Sequence, residues 1–249
     1  MAYNACCLWT LGYPDQAAKL SSRALDLARK YNHAFTLADV INYAGCLFAS
    51  LVGESEALSS YSNEFFALAE AHGFHGWMAA AECFKGVSIY LSGQPKEALA
   101  QIEKGIALSA VHGEYMHMPR IRYLIARLHS QLGDLSKAWE NIDEAYKILE
   151  STGEHNWESM IYRGRAALHN LQGQYEDAES NLRKAIDIAH SQEAKSWELQ
   201  AAFDLARLFQ AQGRLAEARS VLSGVYSWFT EGFGTPDLIA ARALLQSLS

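Results

Sequence analysis

The stretch that decides the fold is GQPKEALAQIEKGIAL, residues 93–108, because it returns at a fixed interval. Its counterparts are GDLSKAWENIDEAYKIL at 133–149, GQYEDAESNLRKAIDIA at 173–189 and GRLAEARSVLSGVY at 213–226. Read backwards, the series takes in Gly53 and Gly12, so six glycines follow one another at steps of 41, 40, 40, 40 and 40 residues. Five positions past the glycine stands an alanine: Ala17, Ala98, Ala138, Ala178 and Ala218. Four further on comes Ile102, Ile142, Leu182 or Leu222, and three beyond that Gly105, Ala145, Ala185 or Val225. Steps of four and three keep one face of a helix. In the unit after Gly53 the alanine is Ala57, one residue early, which predicts a turn one residue shorter there.

Twelve residues before those alanines lies a second column, Ala5, Gly45, Gly86, Ala126, Ala166 and Ala206. Only small side chains occupy it, as expected where two helices approach so closely that a larger substituent would hold them apart. The glycine that follows suits the left-handed turn ending a helix. The columns predict six helical hairpins. First helices run over 1–11, 34–51, 76–91, 117–132, 156–172 and 196–212; second helices over 14–31, 54–72, 95–112, 135–151, 175–191 and 215–229. A last helix is expected from Pro236 to Leu248, with Thr235 as cap and Leu238, Ala241, Leu245 and Leu248 on one stripe, covering the final hairpin.

Composition agrees. The 249 residues hold 39 Ala and 30 Leu against 23 Val, Ile and Thr together, a balance that favours helix over strand. The expected fold is all-α, a right-handed α-solenoid over residues 1–249 as one domain: 1–31 a truncated first repeat, 32–229 the central repeats and 235–248 the cap. A net charge of −7 gives no overall field to attract nucleic acid or anionic lipid. Cys6, Cys7, Cys46 and Cys83 have no C-x-x-C spacing and read as small buried hydrophobes of a reducing cytosol, so the chain is expected to be cytoplasmic. No secretory pattern opens the chain and no run of eighteen apolar residues occurs, so no membrane association is expected.

Small residue, helical hairpin, glycine turn and then A-x3-[IL]-x2-[AG] resembles the tetratricopeptide repeat (TPR), here lengthened from its standard unit of about 34 residues. The resemblance covers nearly the whole chain and implies the solenoid fold and a protein-binding role rather than an activity. A narrower resemblance lies at the two ends, LWTLGYPDQA at 8–17 and YSWFTEGFGTPDL at 226–238. These stretches are similar to the C-terminal repeat region of large bacterial signalling proteins, in which a class III nucleotide cyclase or transcription-activator domain precedes a STAND-type ATPase. That likeness implies a fragment of a larger protein, with Met1 not the native start, and a regulatory module in signal transduction. Its partner would be a protein, a peptide or another domain of the parent. The alternative it implies is a small-molecule effector sensor, which a compact apolar cavity with convergent polar groups would favour.

Catalytic chemistry finds no foothold. There is no G-x-x-x-x-G-K-[ST] loop, no G-x-S-x-G and no H-E-x-x-H, so the chain is expected to be no enzyme and to need no cofactor. His72 and His75 lack further metal ligands, while the pairs His72/His112 and His129/His169 recur at the repeat period, as structural positions do, so no metal site is expected. Trp77, His117, Trp157 and Trp197 form another 40-residue column, expected to pack over hairpin junctions.

The family resemblance places the first helices on a concave groove. Aligned there are Arg120, Tyr123, Arg127 and Ser130, then Met160, Arg163, Ala167 and Asn170, then Gln200, Phe203, Arg207 and Gln210. Arginine recurs on this face of an acidic chain. The groove reading makes Arg120, Tyr123, Arg127, Arg163, Asn170, Phe203 and Arg207 a binding site for an acidic segment or a C-terminal carboxylate. The other reading pairs these arginines with carboxylates on adjacent helices. A further expectation is self-association through an open N-terminal face at Leu8, Trp9 and Leu11.

Overall fold

In the computed structural model, which describes residues 1–112 and 117–248, every element is helical and successive hairpins stack into a solenoid. The first hairpin is α1 (Ala2–Thr10) and α2 (Pro14–Tyr31). The second begins with α3 (Ala34–Val40), which runs through a π-helical stretch (Ile41–Leu47) into α4 (Phe48–Val52), and returns along α5 (Ser55–His72). Next come α6 (His75–Leu91) with α7 (Pro95–His112), then α8 (Met118–Gln131) with α9 (Leu135–Thr152). A short turn of 3-10 helix (His155–Trp157) leads into α10 (Glu158–Leu171), paired with α11 (Tyr175–Ser191). The array ends with α12 (Lys195–Ala211), α13 (Leu215–Tyr226) and the terminal α14 (Pro236–Ser247). The His112 side chain lies outside the described residues.

Two interleaved sets of left-handed residues set the cadence. Gly12, Gly53, Gly93, Gly133, Gly173 and Gly213 end the first helices, and Asn32, Gly73, Gly153 and Glu193 end second ones, all at positive φ. Twenty residues separate Gly73 from Gly93 and Gly153 from Gly173, but twenty-one separate Asn32 from Gly53. The additional residue falls within the first helix of the second hairpin, where the π stretch absorbs it as an i→i+5 insertion. This corrects the expectation of a shortened turn. The α5 helix starts two residues past its glycine, as α7, α9, α11 and α13 do, and Leu58, fully buried, stands in the alanine column while Ala57 is half-exposed.

The small-residue columns form the seams. Ala17, Ala98, Ala138, Ala178 and Ala218 are all 0% exposed, and Ala5, Ala126, Ala166 and Ala206 are buried too. At Gly86 a β-carbon would run into Ile102, coming within 3.0 Å of its backbone nitrogen and 3.1 Å of the Ala98 carbonyl. Buried Glu82 on α6 accepts from Lys104 Nζ at 2.9 Å and from Gln101 on α7, tying the same pair of helices together. The helix Ala34–Val52 is by length and composition apolar enough to cross a membrane (mean hydropathy 1.5), although Thr36, Asp39 and Asn42 interrupt its apolar run, and half of it is buried inside the solenoid.

The ends of the array meet. Trp9 is 3% exposed and packs edge-on against Trp197 at 4.8 Å, while Ser196 Oγ donates to the Trp9 carbonyl. Glu231 Oε1 accepts from the backbone N–H groups of Asp15 (3.0 Å) and Gln16 (3.1 Å), the free donors at the start of α2. Asp15 Oδ2 in turn accepts from Gly232 N at 3.2 Å. Tyr13 meets Trp228 at 5.5 Å, and at Gly12 a β-carbon would lie 2.6 Å from the Trp228 ring. The face expected to be open at Leu8, Trp9 and Leu11 is therefore closed by the chain's own last hairpins, with Leu8 and Leu11 half-buried. Thr235 precedes α14 as expected, but its hydroxyl donates to the Gly232 carbonyl (2.7 Å) instead of capping the helix.

Replacing Gly86 by Ala is expected to destabilise the chain by about 1–3 kcal/mol, because the contact it creates is with backbone as well as side chain. Gly224→Ala, with nothing within 4 Å of its added methyl, is expected to be neutral or stabilising by up to about 1 kcal/mol. Urea unfolding of the two variants side by side checks both signs.

Candidate functional site

A recess in the second half is lined mainly from α8, α10 and α12, the first helices of three successive hairpins. This main recess has a volume of about 350 Å³ and is lined by Tyr123, Arg127, Arg163, Asn170, Asp204 and Arg207 among others. An adjoining recess of about 240 Å³ shares Arg127, Arg163 and Asp204 and adds Gln200, Phe203 and Asp237. Six of the seven residues expected to form a groove thus come together.

Arg120 is the exception. Its side chain is 4% exposed, donates to Ser50 Oγ at 2.8 Å, and lies over the rings of Phe84 and Trp157. It is a structural bridge from the fourth hairpin to the second and does not face the concavity. The expected position failed because closure brings α4 over the near end of α8, a contact between residues 70 apart.

The other arginines divide between the two readings. Arg163 pairs internally: Nε and Nη2 both reach Asp204 Oδ2 at 2.8 Å, and Nη1 donates to Gln200 Oε1. Gln200 passes the chain on, its Nε2 donating to Asp237 Oδ2 at 2.7 Å. Burial holds the Asp237 carboxyl above its ordinary range, with the Gln200 hydrogen bond opposing. Arg127 makes no ion pair with a described residue, though the charge of Asp204 acts on it; it donates weakly to Tyr123 Oη at 3.4 Å and sits over the rings of Tyr90 (5.5 Å) and Tyr123 (5.8 Å). Arg207 is exposed on the recess wall and makes no ion pair with a described residue. Arg163 and Asp204 neutralise one another, so Arg127 and Arg207 leave the main recess cationic in an acidic protein.

The aromatic column follows the inner edge. His117, Trp157 and Trp197 succeed one another at 5.8 and 6.1 Å, Tyr43 precedes them at 6.0 Å from His117, and Trp9 closes the row against Trp197. Trp77 stands apart, among Phe35, Phe65 and Phe74. Below the row lies an apolar cavity of about 550 Å³, walled by Leu11, Leu47, Leu51, Trp157 and Trp197, with Thr10, Asn156 and Gln192 as polar neighbours. Periodicity alone hid this cavity, because α1 and α12 meet across it only when the array closes. Among the described residues no group of three or more His, Cys, Asp or Glu gathers as a metal site would require.

Residues 41–243 match the model of the MalT-like TPR region. The chain belongs to the MalT-like TPR family. No curated protein matches it. Among solved structures, this MalT-like array is similar to BtubC (BKLC) from P. vanneervenii, at 15% identity over 85% of this chain and 89% of that one, with a TM-score of 0.58. It is also similar to a Podosopora anserina protein described as a kinesin light chain with nearly identical TPR-like repeats, at 21% identity over 84% and 94% of the two chains and a TM-score of 0.49. A third similar structure is the APC/C hetero-tetramer Cut9-Hcn1, at 14% identity over 98% of this chain and 54% of that one, with a TM-score of 0.46. At these identities the likeness to BtubC shows the shared TPR-like fold and nothing more.

His117 gives this array a defined acid response. It opens α8 in the left-handed conformation (φ 58°), and burial, reinforced by the charge of Arg120, pulls its pKa down to about 4. An imidazole in the unfolded chain takes a proton near pH 6.5, so from there down the unfolded state gains a proton that the folded state refuses. Stability is full above about pH 6.5 and declines as the pH falls towards about 4. Urea midpoints between pH 7.5 and 5 are expected to fall for the native chain, with a shallower fall in His117→Gln.

Proposed function

We propose that the chain is a regulatory protein-binding module that takes an extended acidic segment, from a partner or from another domain of its parent protein, into the recess of α8, α10 and α12. The observation that carries this reading is the pair of cations, Arg127 and Arg207, that line one recess and make no ion pair with a described residue. Guanidinium groups fork onto carboxylates. Phe203 and Asn170 supply a ring and an amide for a peptide backbone, buried Tyr123 backs Arg127 from beneath, and Arg163, fixed by Asp204, gives the recess a rigid wall. A preformed concave surface lowers the ordering cost of binding. Membership of the MalT-like family supports a place in signal transduction, and four free cysteines fit a reducing, cytoplasmic setting.

The test is a calorimetric titration with a Glu-rich peptide ending in a free carboxylate. Arg127→Glu and Arg207→Glu are each expected to weaken binding roughly tenfold or more, equivalent to about 1.4 kcal/mol. Unchanged affinity in a double variant with native circular dichroism would refute the reading.

The 550 Å³ cavity beneath the aromatic row favours a second reading, a small-molecule effector held where the array closes. The probe is 1-anilinonaphthalene-8-sulfonate, expected to bind the native chain with 1:1 stoichiometry and to be displaced by filling the cavity with Leu51→Trp. Binding that survives this substitution would place the dye elsewhere and count against a built pocket.

A further inference from the structure

A second, much smaller space lies between the π stretch of the second hairpin, α6 and the start of α8. Its volume is about 40 Å³, and its walls include Asn42, Cys83, Phe84, Ser109, His117 and Arg120. That is room for one compact ion or for a water or two. Two of the lining groups are donors short of an acceptor, and a third is a ring nitrogen without a partner. Asn42 is 1% exposed and its Nδ2 has no hydrogen-bond partner; His117 Nε2 has none either. Arg120, also buried, has its single hydrogen bond on the Ser50 hydroxyl.

A buried guanidinium without an opposite charge costs several kcal/mol. Among the described residues the titratable groups that act on Arg120 are the thiols of Cys6 and Cys83 and the phenol of Tyr123. Burial pushes both thiols up to about 12, so neither is an anion at neutral pH. The rings of Phe84 and Trp157 lie at 6.0 and 5.8 Å from the guanidinium carbon, where a cation–π contact returns only about 0.5–2 kcal/mol. Buried donors are rarely left unpaired; of those without a partner among the described residues, Arg122 Nε and Arg165 Nε belong to guanidinium groups bonded elsewhere, to Asn141 and Asp143, whereas the Asn42 amide and the Arg120 guanidinium line one space, which points to a missing acceptor there. Asn42 lies on the π insertion, a backbone device that recurs at functional sites.

We propose that this space is a binding site for a single compact monoanion of halide size, held by the Arg120 guanidinium, the Asn42 amide and an N–H of His117. The anion neutralises the buried cation and locks the fourth hairpin to the second. The site is distinct from the recess of Arg127 and Arg207, and its enclosed volume is too small for a peptide carboxylate with its chain attached.

The experiment compares thermal unfolding of the full chain in sodium chloride and in sodium gluconate at equal ionic strength, gluconate being too large to enter. The midpoint is expected to rise saturably with chloride and not with gluconate, as for a ligand that binds the folded state alone. Asn42→Leu is expected to abolish the difference. Independently of any variant, the His117 Nε2 resonance in a long-range nitrogen–proton spectrum should shift saturably with chloride. Coincident midpoints in the two salts, a full chloride response in Asn42→Leu, or a His117 resonance indifferent to chloride would each overturn the proposal.

Discussion

The close approach of paired helices at the small-residue columns governs this molecule. Where Gly86 faces Ile102, or Ala17, Ala138 and Ala178 lie fully buried, there is no space for another carbon. The two helices of each hairpin are thereby held at one spacing, and six such units stacked in series make the array. The stacked units bring α1 back onto α12 within this chain. Trp9 then finds Trp197, and the start of α2 finds Glu231. Both the recess and the cavity owe their walls to that stacking.

Closure also decides which arginines are available. The chain offers a stripe of them on its first helices, but the structure uses them in three ways. Arg120 is sealed under α4, Arg163 is held by Asp204 from the next hairpin, and Arg127 and Arg207 make no ion pair with a described residue. A basic surface in an acidic protein is thus narrower than the stripe, and it lies where α8, α10 and α12 converge.

Much of the fold was legible because it is local and repeated. The glycine and alanine columns gave the hairpins, their register and the terminal helix, and the boundaries differ by a few residues, as at α13, which ends at Tyr226. The 41-residue first interval was visible too, but the sequence did not say where the odd residue goes. A shortened turn and a π insertion have the same arithmetic, and only the packing of Leu58 distinguishes them. Contacts outside the period were illegible: Trp9 with Trp197, Asp15 with Gly232, Arg120 with Ser50. The recess residues follow from the family resemblance aligned on the small-residue column, but their state of pairing depends on neighbours one repeat away, such as Asp204 for Arg163.

An open repeat array has two free ends, and its stability is close to a sum over units and nearest-neighbour interfaces, so it frays inward from either terminus. Here the Trp9–Trp197 seam gives the terminal hairpins a second neighbour and turns a line into a loop with periodic boundaries. No unit can leave without breaking two interfaces, which makes unfolding more concerted than the linear picture allows. The loop also fixes the spacing within it: a repeat added or deleted between Trp9 and Trp197 would carry one ring past the other.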